Sequence, residues 1–169
     1  IGKDNKVPWK IPSEFAYYKK MTSSRADSVK VHASIYATKN WHSLPETCKP
    51  WGNTICFILS RSMKQEDVLK YGKDVYVHST WNAIIDHLCQ PEMRERVDRI
   101  WVHGGVITYT EALRSPHFYR LYITRIEATF PADVFFPKFD DSRMTLVHDP
   151  DVPQGIQHDA DVHYQVLVY

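Results

Sequence analysis

The sequence predicts an α/β fold, a three-layer sandwich whose central sheet is mostly parallel and ends in a C-terminal antiparallel hairpin. Three observations carry that reading. Strand-like and helix-like segments alternate through most of the chain. Residues 54–59, Thr-Ile-Cys-Phe-Ile-Leu, form a nearly continuous apolar run, the mark of a strand covered on both faces. The C-terminal end is β-rich. With 169 residues there is room for one domain, expected to span residues 1–169.

Taken in order, residues 1–9 carry a Gly and a Pro and no period, which reads as a loop. Pro12-Ser13-Glu14 opens a helix: Pro and Ser suit the first turn and its cap, and Glu14 suits the positive end. Phe15, Tyr18 and Met21 give this helix a stripe expected to be buried. Residues 29–37 are β-branched and alternating, a strand, and a short helix over 38–43 follows, stopped by Pro45. After the 54–59 strand come a short strand at 74–77 and a helix at 79–88, with Ala83, Ile84 and Leu88 at helical spacing. A strand at 99–103 ends at Gly104-Gly105, and a helix runs on to Leu113. Residues 118–126 read as a long strand, and 144–148 and 162–169 as two more joined by a loop bearing Pro and Gly.

Composition narrows the function. Hydrophobic residues at 43% and charged ones at 24% are a globular balance, and a chain of this size needs no disulfide or metal staple. No apolar run approaches a membrane span, and no charged-then-apolar leader is seen. Lys plus Arg (21) against Asp plus Glu (20) leaves +1, so no bulk basic field invites nucleic acid or anionic lipid. The expected partner is therefore a small molecule, and the expected state a monomer. Aromatic residues reach 13%, enough to line a pocket for a flat ligand as well as to fill a core. Cys48, Cys56 and Cys89 are odd in number and lack CxxC spacing, so they are expected to be reduced, buried thiols of a cytoplasmic protein. Nine His without paired metal spacing give no expectation of a metal site.

Four motifs bear on chemistry. Gly104-Gly105, between an apolar strand and a helix, lets backbone approach a ligand phosphate at a helix start, or simply makes a tight turn. Glu14, among Trp9, Phe15 and Tyr18, is expected to be partly desolvated with a raised pKa, fit to hold a proton or to bind a heterocycle's N and NH2 together. The plainer reading is a first-turn Glu serving the helix dipole. Thr38 and Lys39 after one strand, and Ser60 and Arg61 after the next, offer hydroxyls and cations to phosphates or are solvated strand ends. Phe135-Phe136-Pro137 reads as packing.

In colinear order, these pieces resemble the dihydrofolate reductase family of eukaryotic type. The matching stretches include Ile1-Gly2, Val7-Pro8-Trp9, Ser13-Glu14-Phe15 through Tyr18 to Met21-Thr22, and Lys39, Trp41, Ser43 and Pro45-Glu46. Leu59-Ser60-Arg61, Arg99-Ile100-Trp101-Val102, Gly104-Gly105, Tyr109 and Leu121-Tyr122-Ile123-Thr124-Arg125-Ile126 follow, then Asp133-Val134-Phe135-Phe136-Pro137, Val152-Pro153 and the last strand. The resemblance implies a dihydrofolate-reductase-like sandwich and NADPH-dependent reduction of dihydrofolate, or a related pterin, by direct hydride transfer without a metal. It implies that Glu14 is the pterin-binding acid, Trp9 holds a nearby water, and Thr124 partners the carboxylate. Val7, Phe15, Tyr18, Leu44, Thr54, His103 and Tyr109 fall at its substrate-facing positions. Thr38, Lys39, Asn40, Ser60, Arg61, His78, Gly104 and Gly105 fall in its NADPH region.

The departures from the family pattern cluster where ligands bind. An Arg that clamps the folate glutamate is replaced by Thr54, and Lys49 is no obvious geometric substitute. The usual Gly-Arg/Lys-Lys-Thr is Ala37-Thr38-Lys39-Asn40, which removes a basic residue from the 2′-phosphate site. The apolar residue before Gly-Gly is His103, read either as a core His bonded to backbone or as a new acid–base group. These changes open an alternative: an enzyme of this fold acting on a non-folate substrate by acid-catalysed isomerisation, cyclisation or reduction. A non-catalytic paralogue is a third reading, against which the retained Glu14 argues. The family's first strand precedes the position of Ile1, so residues upstream of Ile1 are expected.

Overall fold

The strands among the described residues assemble into two sheets, one all-parallel and one antiparallel. In the computed structural model the chain divides into two units, Thr22–Ala112 and Ile1–Met21 with Leu113–Tyr169. Residues 1–4, 6–25 and 27–169 are described, Asp141 by its backbone alone; Asn5, within the loop expected over residues 1–9, lies outside them.

Within Thr22–Ala112, β1 (Val31–Ala37), β2 (Ile55–Leu59), β3 (Val75–His78) and β4 (Val97–Gly104) form a parallel sheet in the order β3-β2-β1-β4. Helices α2 (Thr38–Ser43), α3 (Trp81–Leu88), α4 (Pro91–Arg96) and α5 (Val106–Arg114) connect or follow them. The alternation expected for β1 is not what burial shows, since His32 through Tyr36 are all buried. Central position explains this: Ala33 and Ile35 join Ile55, Phe57, Ile84, Leu88 and Met93 in one core, while Ser34 and Tyr36 face the other way and are covered too. The strand starts at Val31, because Val29 is fully exposed. Leu44, before Pro45, is extended and ends α2, as sterics at an X-Pro step require. Helix α3 begins after Thr80, whose hydroxyl accepts from the Ala83 N–H at 3.2 Å. Helix α4 escaped the sequence reading although Pro91 at its first turn is a start signal.

Gly52 is required where it stands. It sits at φ +52° in the turn Trp51–Asn53, and a Cβ there would meet the Ser23 hydroxyl and lie 2.8 Å from Ser23 Cα. Gly52→Ala is therefore expected to destabilise by about 2–4 kcal/mol, read as a lower urea midpoint at unchanged slope.

In the other unit, β5 (Tyr122–Ile126), β6 (Gln157–Asp159) and β7 (Val162–Val168) form an antiparallel sheet in the order β5-β7-β6. Two expectations are corrected here. The strand expected over 118–126 starts only at Tyr122, because Phe118 N–H turns back to the Ser115 carbonyl at 3.1 Å. Residues 144–148 form no strand: Val147 makes one bond to the Val168 carbonyl, and the chain is then drawn aside by Asp149. That carboxylate is buried and accepts from Arg120 at 2.8 Å and from the Tyr122 hydroxyl at 2.9 Å. The hairpin partner of β7 is instead β6, whose polar Gln-His-Asp gives no apolar period to read.

Helix α1 (Pro12–Thr22) forms as expected, but its buried stripe does not. Phe15 is exposed at 54%, while Glu14, Tyr17, Tyr18 and Met21 turn inward at i, i+3, i+4 and i+7. Polar anchors set that rotation: Ser13 N–H donates to Asp159 at 2.7 Å, its hydroxyl bonds Tyr164 at 2.8 Å, and Glu14 meets Thr124. All three cysteines are free, but only Cys56 is buried, Cys48 being half-buried and Cys89 exposed. Among the described residues no helix is long and apolar enough to cross a membrane.

Candidate active site

A carboxyl and a hydroxyl far apart in sequence meet on α1 and β5. Thr124 Oγ1 donates to Glu14 Oε1 at 2.8 Å, with Thr124 held in register opposite Val166. Glu14 is half-buried. Burial disfavours its charged form and raises its pKa; the bond from Thr124 favours that form and offsets part of the rise. The result is a carboxyl with one oxygen anchored, more willing than an ordinary glutamic acid to keep a proton. Beside it, the Tyr17 phenol is pushed well up, first by burial and then by Tyr122, Asp149 and Glu14, so it stays protonated. Sequence reading missed Tyr17; its spacing from Glu14 along the helix was the available signal.

Other residues named from the sequence surround this helix less tightly. Trp9 packs its ring 5.7 Å from Phe130, Val7 is 59% exposed, and Phe15 and Tyr18 stack at 6.2 Å. Exposed apolar side chains at the start of the chain and on α1 are a surface on which a flat ligand can lie.

The second constellation occupies the C-terminal edge of the parallel sheet. Ala37, Leu59 and His78 are in register at that edge, and Tyr36 is in register with Gly104. Thr38, Lys39, Asn40, Ser60, Arg61, His78, Gly104 and Gly105 therefore share one end of four strands. The strand order reverses between β1 and β4, and in open parallel sheets the crevice outside such a switch point is where ligands bind. Lys39 and Arg61 are exposed there. Thr38 donates to the Leu59 carbonyl at 3.2 Å, and the buried Ser60 hydroxyl accepts from the Met63 N–H at 3.0 Å, so both brace the edge. His78 Nε2 lies 3.0 Å from His87 Nδ1; burial lowers the pKa of both rings. Gly104 has φ +108°, and a Cβ on it would lie 3.0 Å from the Tyr109 ring, whereas a Cβ on Gly105 would meet nothing within 4 Å. Open space beside Gly105 is what a closely approaching ligand backbone needs.

Thr54 and His103 are placed differently from the expectation that they face a ligand. Both are buried, at 3% and 7% exposure. They are joined through Ser34, which the sequence reading missed because a Ser inside an apolar strand carries no motif. Burial holds His103 neutral, with a pKa of about 3. Of its two sequence readings, burial favours the core His, and Ser34 is one of its partners. Leu44 is half-buried at the end of α2, and the Tyr109 hydroxyl donates to the His103 carbonyl at 2.9 Å. Lys49, weighed above as a substitute for the missing Arg, gives its amine to Glu46 at 2.8 Å under the Trp41 and Tyr71 rings.

Comparison with known proteins settles the family. The dihydrofolate reductase family model matches residues 1–169. The chain is 33% identical to dihydrofolate reductase of Gallus gallus and 32% identical to that of Rattus norvegicus, each over 171 residues, covering all of this chain and 88% and 89% of those proteins. Among solved structures, Schistosoma mansoni dihydrofolate reductase superposes with a TM-score of 0.81 at 28% identity, covering 99% of this chain and 88% of that one. The chain belongs to the dihydrofolate reductase family.

In this chain Glu14 and Thr124 form a carboxyl–hydroxyl pair. That pair makes a pH prediction. Thr124→Val removes the bond that favours the charged carboxylate, so the Glu14 pKa rises further. Activity that depends on protonated Glu14 falls as pH rises through this pKa, and the falling limb of kcat is expected to move to higher pH in the variant. A limb that stays in place or moves lower in a full pH–rate profile would exclude Glu14 as its source.

Proposed function

We propose that the protein reduces dihydrofolate, or a closely related pterin, to the tetrahydro form with NADPH by direct hydride transfer. The observation that carries this reading is the half-buried Glu14 carboxyl, raised in pKa and anchored through one oxygen by Thr124. Its two oxygens, one of them steadied by Thr124, suit the ring N–H and the neighbouring NH2 of a pterin, one oxygen to each, and its raised pKa suits it to support protonation of the ring nitrogen. Reduction consumes one NADPH, one proton and one dihydropterin and yields NADP⁺ and the tetrahydropterin.

When bound, NADPH supplies the hydride. The residues at the sheet's C-terminal edge fit the dinucleotide: open space beside Gly105, the Gly104 turn held by Tyr109, and the exposed cations Lys39 and Arg61 for its phosphates. Thr38, Asn40, Ser60 and His78 form the rest of that edge, and Val7, Phe15 and Tyr18, in the unit that carries Glu14, supply apolar surface for the pterin. Trp9 holds the loop before α1 against Phe130. The protein acts on small molecules as a monomer.

A second reading, a substrate without an acidic tail, draws support from one observation. Thr54 is buried with its hydroxyl bonded inward, and Lys49 is bonded to Glu46, so neither presents a charge to a glutamate carboxylate. One experiment tests both. NADPH deuterated at the transferring carbon is mixed with dihydrofolate and, separately, with a dihydropterin lacking the glutamate tail. Label in the reduced pterin is the expected result, and unlabelled product would contradict direct transfer. Comparable kcat/KM for the two substrates would favour the tail-less reading.

A further inference from the structure

A chain of four groups runs from the turn before β2, across Ser34 of β1, to His103 of β4, the residue before Gly104–Gly105. Trp51 carbonyl oxygen lies 2.7 Å from Thr54 Oγ1, which lies 2.9 Å from Ser34 Oγ, which lies 3.1 Å from His103 Nε2. Proton counting gives the chain a direction. The Trp51 carbonyl can only accept, and two oxygens at 2.7 Å without a proton between them repel, so the Thr54 proton lies on that contact. Thr54 then has none for Ser34, so Ser34 donates to Thr54. The Ser34 oxygen in turn receives its proton from His103 Nε2–H. Three protons make three bonds in this direction, whereas the reverse direction leaves the 2.7 Å contact unprotonated. Cys56 Sγ also lies 3.6 Å from Thr54 Oγ1, but burial pushes its thiol up to about 11, so it keeps its own proton, and the much shorter 2.7 Å contact holds that of Thr54.

We infer that His103, locked as the Nε2–H tautomer by this chain, is a positioning residue that fixes the Gly104–Gly105 turn for the cofactor. Its ring is tied to Ser34 and stacks on Tyr36 at 4.7 Å and 8°, while its main-chain carbonyl receives the Tyr109 hydroxyl at 2.9 Å. The residue before the turn is thus held by both its side chain and its backbone. Tyr109 in turn closes on Gly104, where an added Cβ would lie 3.0 Å from the ring. A pull on any link moves the turn. Thr54 and Ser34 act here through His103. Burial alone keeps the imidazole neutral, so it works as a fixed donor and not as an acid.

The functional half of this inference rests on the cofactor reading above, so the test has two arms. Nitrogen shifts of His103 in the wild type, from long-range ¹H–¹⁵N correlation, are expected to show a protonated Nε2 whose proton exchanges slowly; a protonated Nδ1 would overturn the chain whatever the protein's activity. In the second arm, His103→Phe keeps the stack on Tyr36 but removes the donor, and His103→Gln restores an N–H. The Phe variant is expected to raise Kd and KM for NADPH by roughly tenfold or more, with a smaller change in kcat, and the Gln variant to recover most of that loss. Ser34→Ala, which breaks the same chain with the smallest change of volume, is expected to shift NADPH affinity in the same direction. Wild-type NADPH affinity in both His103→Phe and Ser34→Ala would overturn the positioning role alone. A folded wild type that does not bind NADPH would overturn the cofactor reading and the role together.

Discussion

Replacing Glu14 by Gln is expected to lower kcat for pterin reduction by about 10²–10⁴-fold while raising the stability of the fold relative to wild type as pH rises. The activity loss follows from removing the group that holds the proton. The stability result follows from the direction of the pKa shift. Burial raises the Glu14 pKa in the folded chain, so the stability this group contributes is present below its unfolded value and is lost as pH rises through the folded one. Above the folded pKa the wild type therefore carries an ionised, half-buried carboxylate at some cost. Gln removes that charge and keeps an oxygen to accept from Thr124, which donates at 2.8 Å. Thermal unfolding should show the Tm of Glu14→Gln gaining on wild type as pH rises, with the gap narrowing in acid. A fully active variant whose Tm loses ground to wild type as pH rises would reverse both expectations.

Gly104→Ala is expected to cost about 2–5 kcal/mol of stability and to abolish NADPH binding, whereas Gly105→Ala should fold normally. The two glycines are adjacent but serve different purposes. Gly104 needs its own conformation at φ +108°, and its missing Cβ leaves room for the Tyr109 ring at 3.0 Å. Nothing within 4 Å opposes a Cβ on Gly105, so that position is open to a ligand and not filled by the fold. Urea unfolding should separate the pair by stability. NADPH titration should then show Gly105→Ala weakened in binding despite its intact fold. Equal stability for the two variants would contradict the role given to Tyr109.

Where the sequence was readable, a single physical signal dominated. Residues 54–59 form an apolar run because β2 is covered on both faces, and Pro12-Ser13-Glu14 marks the start of α1 through a first-turn Pro and a Glu at the positive end. Where it was not, two signals competed. The face that α1 buries is set by Ser13 and Glu14 reaching Asp159, Tyr164 and Thr124, partners more than 100 residues away, so helical spacing alone chose Phe15 wrongly. Residues 144–148 carry the apolar and β-branched residues of a strand, but Asp149, tied to Arg120 and Tyr122, draws the chain off the sheet. Motif positions picked out Glu14 and Thr124, which the fold brings together, and strand-end residues that share one edge. They could not reveal that the Thr54 hydroxyl turns inward, because orientation depends on Ser34 and Trp51, which carry no motif.

The most direct test of the central claim is a stoichiometric turnover measurement on the folded, full-length protein with NADPH and dihydrofolate, run beside Glu14→Gln. One tetrahydrofolate formed for each NADPH consumed, with the rate lost in Glu14→Gln, is the expected result. NADPH that remains unconsumed by a folded wild type, or turnover that survives in Glu14→Gln, would contradict the assignment of this carboxyl to pterin reduction.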